Sequence, residues 1–192
     1  MESINGVEVL AFADAAQWES WLDEHYVVES GVWLKLAKKN SGIASVTAAE
    51  VIDVALCYGW IDGQRRSCDE TYFLQKITPR RPRSLWSQVN IRKVEALTEA
   101  GRMREPGARA VREAKADGRW SAAYASQRNA AVPPDLMVAL TDNEQAKAFF
   151  EQLNKTEKYA VIHRLLTAKT PDTRASRLRR MMASLEAGRR IR

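Results

Sequence analysis

Between Cys57 and Asn90 the chain reads CYGWIDGQRRSCDETYFLQKITPRRPRSLWSQVN, a stretch that neither one helix nor one strand can span. Gly59, Gly63, Pro79 and Pro82 interrupt it, and each proline fixes φ and removes a backbone donor. Only short pieces fit. WIDGQRRS and TYFLQKI have strand composition and meet at Cys68 to Glu70, which predicts a β-hairpin. TPRRPRS predicts an exposed basic loop, and Ser87 to Ala100 a helix with Val94 and Leu97 inward, closed by Gly101. Trp60, Tyr72, Phe73 and Trp86 are interleaved with Arg65, Arg66, Lys76, Arg80, Arg81 and Arg83. Aromatic faces and guanidinium groups held by stiff turns are the material of a binding site, and equally of a well-anchored hairpin.

The flanking segments fix the fold class. Val7 to Phe12 reads as a strand, and Asp14 with Gln17 as a capping box that starts a helix carrying Trp18, Trp21, Leu22 and His25 on one side. Val32 to Lys39 alternates with period two, the pattern of a half-exposed strand. Thr47 and Glu50 make a second capping box, before a helix that buries Val51, Val54, Ala55 and Tyr58 and stops at Gly59. The order β-α-β-α-β-β predicts an α+β protein: a small, mostly antiparallel or mixed sheet with helices on one face. Pro106 opens another helix, with Ala108, Val111 and Ala114 inward. The polar run from Ser126 to Pro134 reads as a boundary, dividing the chain into an α+β domain over 1–125 and a helical module over 133–192. In that module Thr141 to Glu144 reads as a capping box and Thr170-Pro171 as a cap followed by an N1 proline.

Net charge is +6, which suits acidic partners, nucleic acid or anionic lipid. No secretory signal is visible, and no apolar run reaches the roughly 18 residues of a membrane span. The two cysteines, Cys57 and Cys68, form no CxxC pair and read as reduced thiols of a cytoplasmic protein. His25 and His163 lie far apart, so no metal-ligand set is recognisable. Phosphate-loop, dinucleotide and nucleophile-elbow patterns are absent, and nothing points to a cofactor.

The candidate ligand-binding residues are Trp60, Asp62, Arg65, Arg80, Trp86 and Asn90. Asp62 can pair with Arg65, Arg80 or a ligand's cation, or bond nearby backbone as turn-forming aspartates do. Arg80, Arg81 and Arg83 can meet an anion while Trp86 stacks a flat ligand, or Trp86 can simply anchor the loop. Arg174, Arg177, Arg179 and Arg180 make a second basic stretch, either an anion patch or a solvated helix face.

GWIDGQ, TPRRPRSLWSQVN, the segment from Gly101 to Trp120, and the run from PPDLMVAL to TRASRL together resemble the YdeI/OmpD-associated, or bacteriocin-protection, family, from Trp33 to Arg190. The resemblance implies an association with an outer-membrane porin and with protection against antibacterial peptides. It carries no catalytic residue and no cofactor. The expected function is that of a non-enzymatic binding protein taking an anionic ligand, peptide or protein partner on the aromatic and basic surface. Nucleic-acid binding through the basic loop and last helix is the alternative, and acid–base catalysis by Asp62 ranks third.

Overall fold

The computed structural model describes residues 2–125 and 130–191; of the expected boundary segment, residues 126–129 lie outside the described residues. The chain forms two compact units, Met1–Trp86 with Asn90–Ala122, and Ser87–Val89 with Ala123–Arg192.

The first unit is built on a five-stranded sheet of order β1-β2-β3-β5-β4, formed by β1 (Ser3–Ile4), β2 (Val7–Leu10), β3 (Val32–Ala37), β4 (Trp60–Ser67) and β5 (Tyr72–Pro79). Strands β2 and β3 pair in parallel and the other neighbours are antiparallel, so the sheet is mixed and the class is α+β. β1 is an addition to the expected elements. It returns on β2 through Asn5 and Gly6, whose φ values of 51° and 76° are those of a two-residue hairpin turn.

Helix α1 (Ala15–His25) crosses from β2 to β3, and α2 (Ala48–Cys57) from β3 to β4. Asp14 caps α1 by accepting the Gln17 N–H, while the Gln17 side chain accepts from Ala13, one residue before the cap. At α2 the box is reciprocal: Thr47 accepts from Glu50 N–H and Glu50 accepts from Thr47 N–H. The two helices pack together, with the Trp18 indole donating to the Val51 carbonyl at 3.2 Å. Trp18, Leu22, Leu34, Leu36, Val51, Trp60 and Ile77 form the buried core.

Strand β3 differs from the expected half-exposed strand, because Val32, Trp33, Leu34 and Leu36 are all buried. The reason is the covering of Trp33. Arg66 and Lys76 lie over its indole at 5.0 and 5.8 Å from the ring centre, so long cationic side chains shield the position that alternation assigned to solvent. Helices α3 (Gln88–Glu99) and α4 (Glu105–Ala116) follow the sheet in sequence.

The second unit contains α5 (Pro134–Thr141), α6 (Glu144–Gln152), α7 (Lys155–Leu166) and α8 (Pro171–Glu186) around Leu136, Phe150, Val161, Leu165, Met181 and Leu185. Asn154 and Glu157 form the capping box of α7, and Thr170 caps α8 ahead of Pro171. The expected box at Thr141 is corrected. Thr141 ends α5 and donates to the Met137 carbonyl, and Asn143, two residues later, caps α6 by accepting the Ala146 N–H. No helix among the described residues is long and apolar enough to cross a membrane.

Candidate functional site

The end of α2 sets up the site. Gly59 takes φ 74°, stopping the helix, and its N–H donates to the Leu56 carbonyl. The Cys57 carbonyl, left over at this terminus, accepts the N–H of Arg104, the cap residue of α4. The negative end of one helix therefore meets the positive end of another. Gly107 rests directly on Cys57, and a Cβ built on Gly59 would come within 3.0 Å of the Pro106 carbonyl. Bare backbone on both sides lets α4 approach closely enough to form a wall.

The result is a cleft of about 310 Å³ in the first unit. One wall is α4, with Pro106, Arg109, Ala110 and Glu113; the opposite one is Pro79 to Pro82; Tyr26, Tyr58 and Trp60 supply aromatic lining. Trp60 is almost wholly buried. Its indole donates to the Tyr26 carbonyl at 2.9 Å and meets Trp18 and Trp21 edge-on. The Tyr58 hydroxyl donates to Asp23 at 2.9 Å, and burial, then Asp23, pushes its pKa up to about 12. Tyr58 is a neutral phenol at any ordinary pH.

Two arginines hold the loop after β5. The Arg80 guanidinium lies 3.6 Å from the centre of the Trp86 ring and donates to the Leu85 carbonyl. Arg119 donates to the Ser84 carbonyl and pairs with Asp117 through Nε. Trp120 packs on Trp86 with ring centres 5.0 Å apart. Arg81 and Arg109 remain as exposed cations of the cleft, Arg109 only 4.0 Å from Glu113 in a loose pair along the helix. The lining thus holds four guanidinium groups against the carboxylate of Glu113.

The structure brings Trp60 and Arg80 together in this cleft. Trp86 is 2% exposed and sits behind Arg80 as the anchor of the loop, with no ring face offered to a ligand. Asp62 is exposed on β4, outside the lining. Arg65 lies beyond a register shift in the β4–β5 pairing; it donates to the Gln75 side chain at 2.8 Å and covers Phe73. Asn90 sits half-buried on α3, also outside the lining. Sequence reasoning did not pick out Tyr26, Tyr58, Arg109 or Arg119. The available signal was Gly107: a glycine inside a helix marks close backbone approach, here of α4 to α2. Among the described residues no group of three or more His, Cys, Asp or Glu side chains is placed to hold a metal ion.

Fold and cleft define an α+β protein with a basic, aromatic-lined cleft in its first unit and a helical second unit. The chain belongs to the family described as Domain of unknown function (DUF8412), whose model matches residues 10–110. Residues 129–188 match the family described as Bacteriocin-protection, YdeI or OmpD-Associated. The resemblance read from the sequence is therefore supported over the C-terminal part, whereas most of the first unit matches the other family. No curated protein and no solved structure matches the chain.

Proposed function

We propose that this is a non-catalytic cytoplasmic binding protein whose cleft takes a carboxylate-rich ligand, such as an acidic peptide segment. The observation that carries the reading is the charge arrangement of the cleft: Arg81 and Arg109 stand on separate elements, neither used to hold the fold, over an aromatic lining. Planar guanidinium forks match carboxylates in pairs. Trp60 and Tyr58 already have partners for their polar atoms, so they supply shape and apolar contact. Both cysteines are free thiols, in keeping with a reducing compartment.

A role in protection against antibacterial peptides, suggested by the family name of the C-terminal match, runs through an acidic partner on this reading. A surplus of guanidinium groups repels peptides rich in lysine and arginine. Nucleic-acid binding by the last helix has one cation fewer to draw on, because Arg174 pairs with Asp135 through two nitrogens. The test is fluorescence anisotropy of a labelled oligoglutamate peptide with the full chain and the Arg81→Gln/Arg109→Gln double variant. Saturable binding lost in the variant supports the reading. Stronger binding of a labelled single-stranded oligonucleotide, with a steep salt slope, replaces it by the nucleic-acid alternative.

A further inference from the structure

The last turn of α7 and the middle of α8 enclose a hollow of about 330 Å³ lined by Arg164, Thr167, Arg177, Arg180 and Met181. Helical spacing builds it: Arg164 and Thr167 are three residues apart at the end of α7, and Arg177 and Arg180 three apart on α8. Arg177 is the fixed member. Its Nη1 donates to the Arg164 carbonyl at 2.7 Å and to the Thr167 hydroxyl oxygen at 3.3 Å. Thr167 in turn donates to the His163 carbonyl. A half-buried cation is thus held against the carbonyl end of α7, where the helix dipole favours it.

The charge is left uncompensated. Arg102, Arg104, Arg112, Arg119, Arg174 and Arg190 each meet a carboxylate. At this hollow three guanidinium groups gather, and the lining contains no acid. Among the described residues the guanidinium groups of Arg164 and Arg180 make neither a hydrogen bond nor an ion pair. The positive field is felt nearby: burial, and then the Arg177 charge, lowers the pKa of His163.

We infer that this hollow binds the phosphate group of a small phosphate monoester. Three guanidinium groups lining one hollow from two helices suit a tetrahedral dianion with several acceptor oxygens better than a planar, singly charged carboxylate. Arg177 is pre-organised, so less side-chain freedom is lost on binding. The volume, about ten times the roughly 30 Å³ share of one water, leaves room for the group that carries the phosphate, with Met181 as its apolar contact. This site is independent of the carboxylate cleft, since its residues all belong to the second unit.

The test is NMR titration of the full chain with inorganic phosphate, glycerol phosphate and a single-stranded oligonucleotide. The chain has two histidines, so their ring signals are readily separated. Saturable binding of glycerol phosphate should raise the titration midpoint of His163, while the His25 ring signals show no saturable shift. Arg164→Gln/Arg180→Gln, which removes no contact of the fold, should weaken binding by about tenfold or more, the scale of one lost charge-assisted hydrogen bond. Arg177→Lys keeps the charge without the fork and should weaken it too. Equal affinity in the double variant, or a response to the oligonucleotide alone, overturns the inference.

Discussion

Gly107 lies against the Cys57 carbonyl so closely that no Cβ fits between them. In an exposed helix interior, glycine to alanine gains up to about 1 kcal/mol. Here the obstructing atoms are backbone, so the sign reverses. Gly107→Ala should destabilise the first unit by roughly 1–3 kcal/mol, the range of an overpacked core. A thermal melt with unchanged or raised stability would mean α4 is not seated on α2 in this way.

The Arg80–Trp86 stack gives a second expectation. Trp86→Ala should cost about 3–5 kcal/mol, as for other buried aromatics. Combined with Arg80→Ala it should show a coupling of about 1–2 kcal/mol for a cation held over a desolvated ring. Simple additivity in denaturant melts would remove the stack as the anchor of the loop. Neither substitution is a clean probe of ligand binding, since both disturb the wall that carries Arg81.

Much of the fold was legible because its signals are local. Asp14, Thr47 and Thr170 announce their helices through side chains that reach only three residues. Pro79 at the end of β5, Pro82 just beyond it and the strand content on either side of Asp69 place the hairpin. What escaped depends on distant partners. The alternation of β3 assigns Trp33 to solvent, and only Arg66 and Lys76, brought over it by the β4–β5 hairpin, reverse that. Asn143 outcompeted Thr141 as a cap by two positions, a boundary that pattern reading does not resolve. At the site, Trp60 and Arg80 stood in one unusual stretch and could be named. Tyr26 reaches the same cleft from just past α1 and Arg109 from α4; Gly107 is the one local hint beside Arg109, and nothing in the neighbourhood of Tyr26 marks it.

Alkaline pH tests the burial of Tyr58. Its folded pKa of about 12 stands above the ordinary tyrosine value of 10.0. The neutral phenol's contribution to stability is therefore complete below about pH 10 and lost as pH rises from there toward 12. Tyr58→Phe should flatten this alkaline loss in pH-dependent melts; an identical profile would show that the phenol is solvated.

Acid acts on the second unit through Asp135. The paired hydrogen bonds from Arg174 lower its carboxyl pKa against an opposing burial effect. A depressed folded pKa gives stability that is present above the unfolded value and lost as pH falls through the folded one. Asp135→Asn should reduce the acid-side loss by less than about 1 kcal/mol, since both side chains are partly exposed and screened. A melt series below pH 5 or so compares the two forms.

The most direct measurement is the affinity of labelled oligoglutamate for the wild type and for Arg81→Gln/Arg109→Gln, at low and moderate salt. Losing two fork contacts should weaken binding by about a hundredfold, one tenfold step for each charge-assisted pair, while the melting temperature stays unchanged. Equal affinity in a folded double variant would contradict the assignment of this cleft as the binding site.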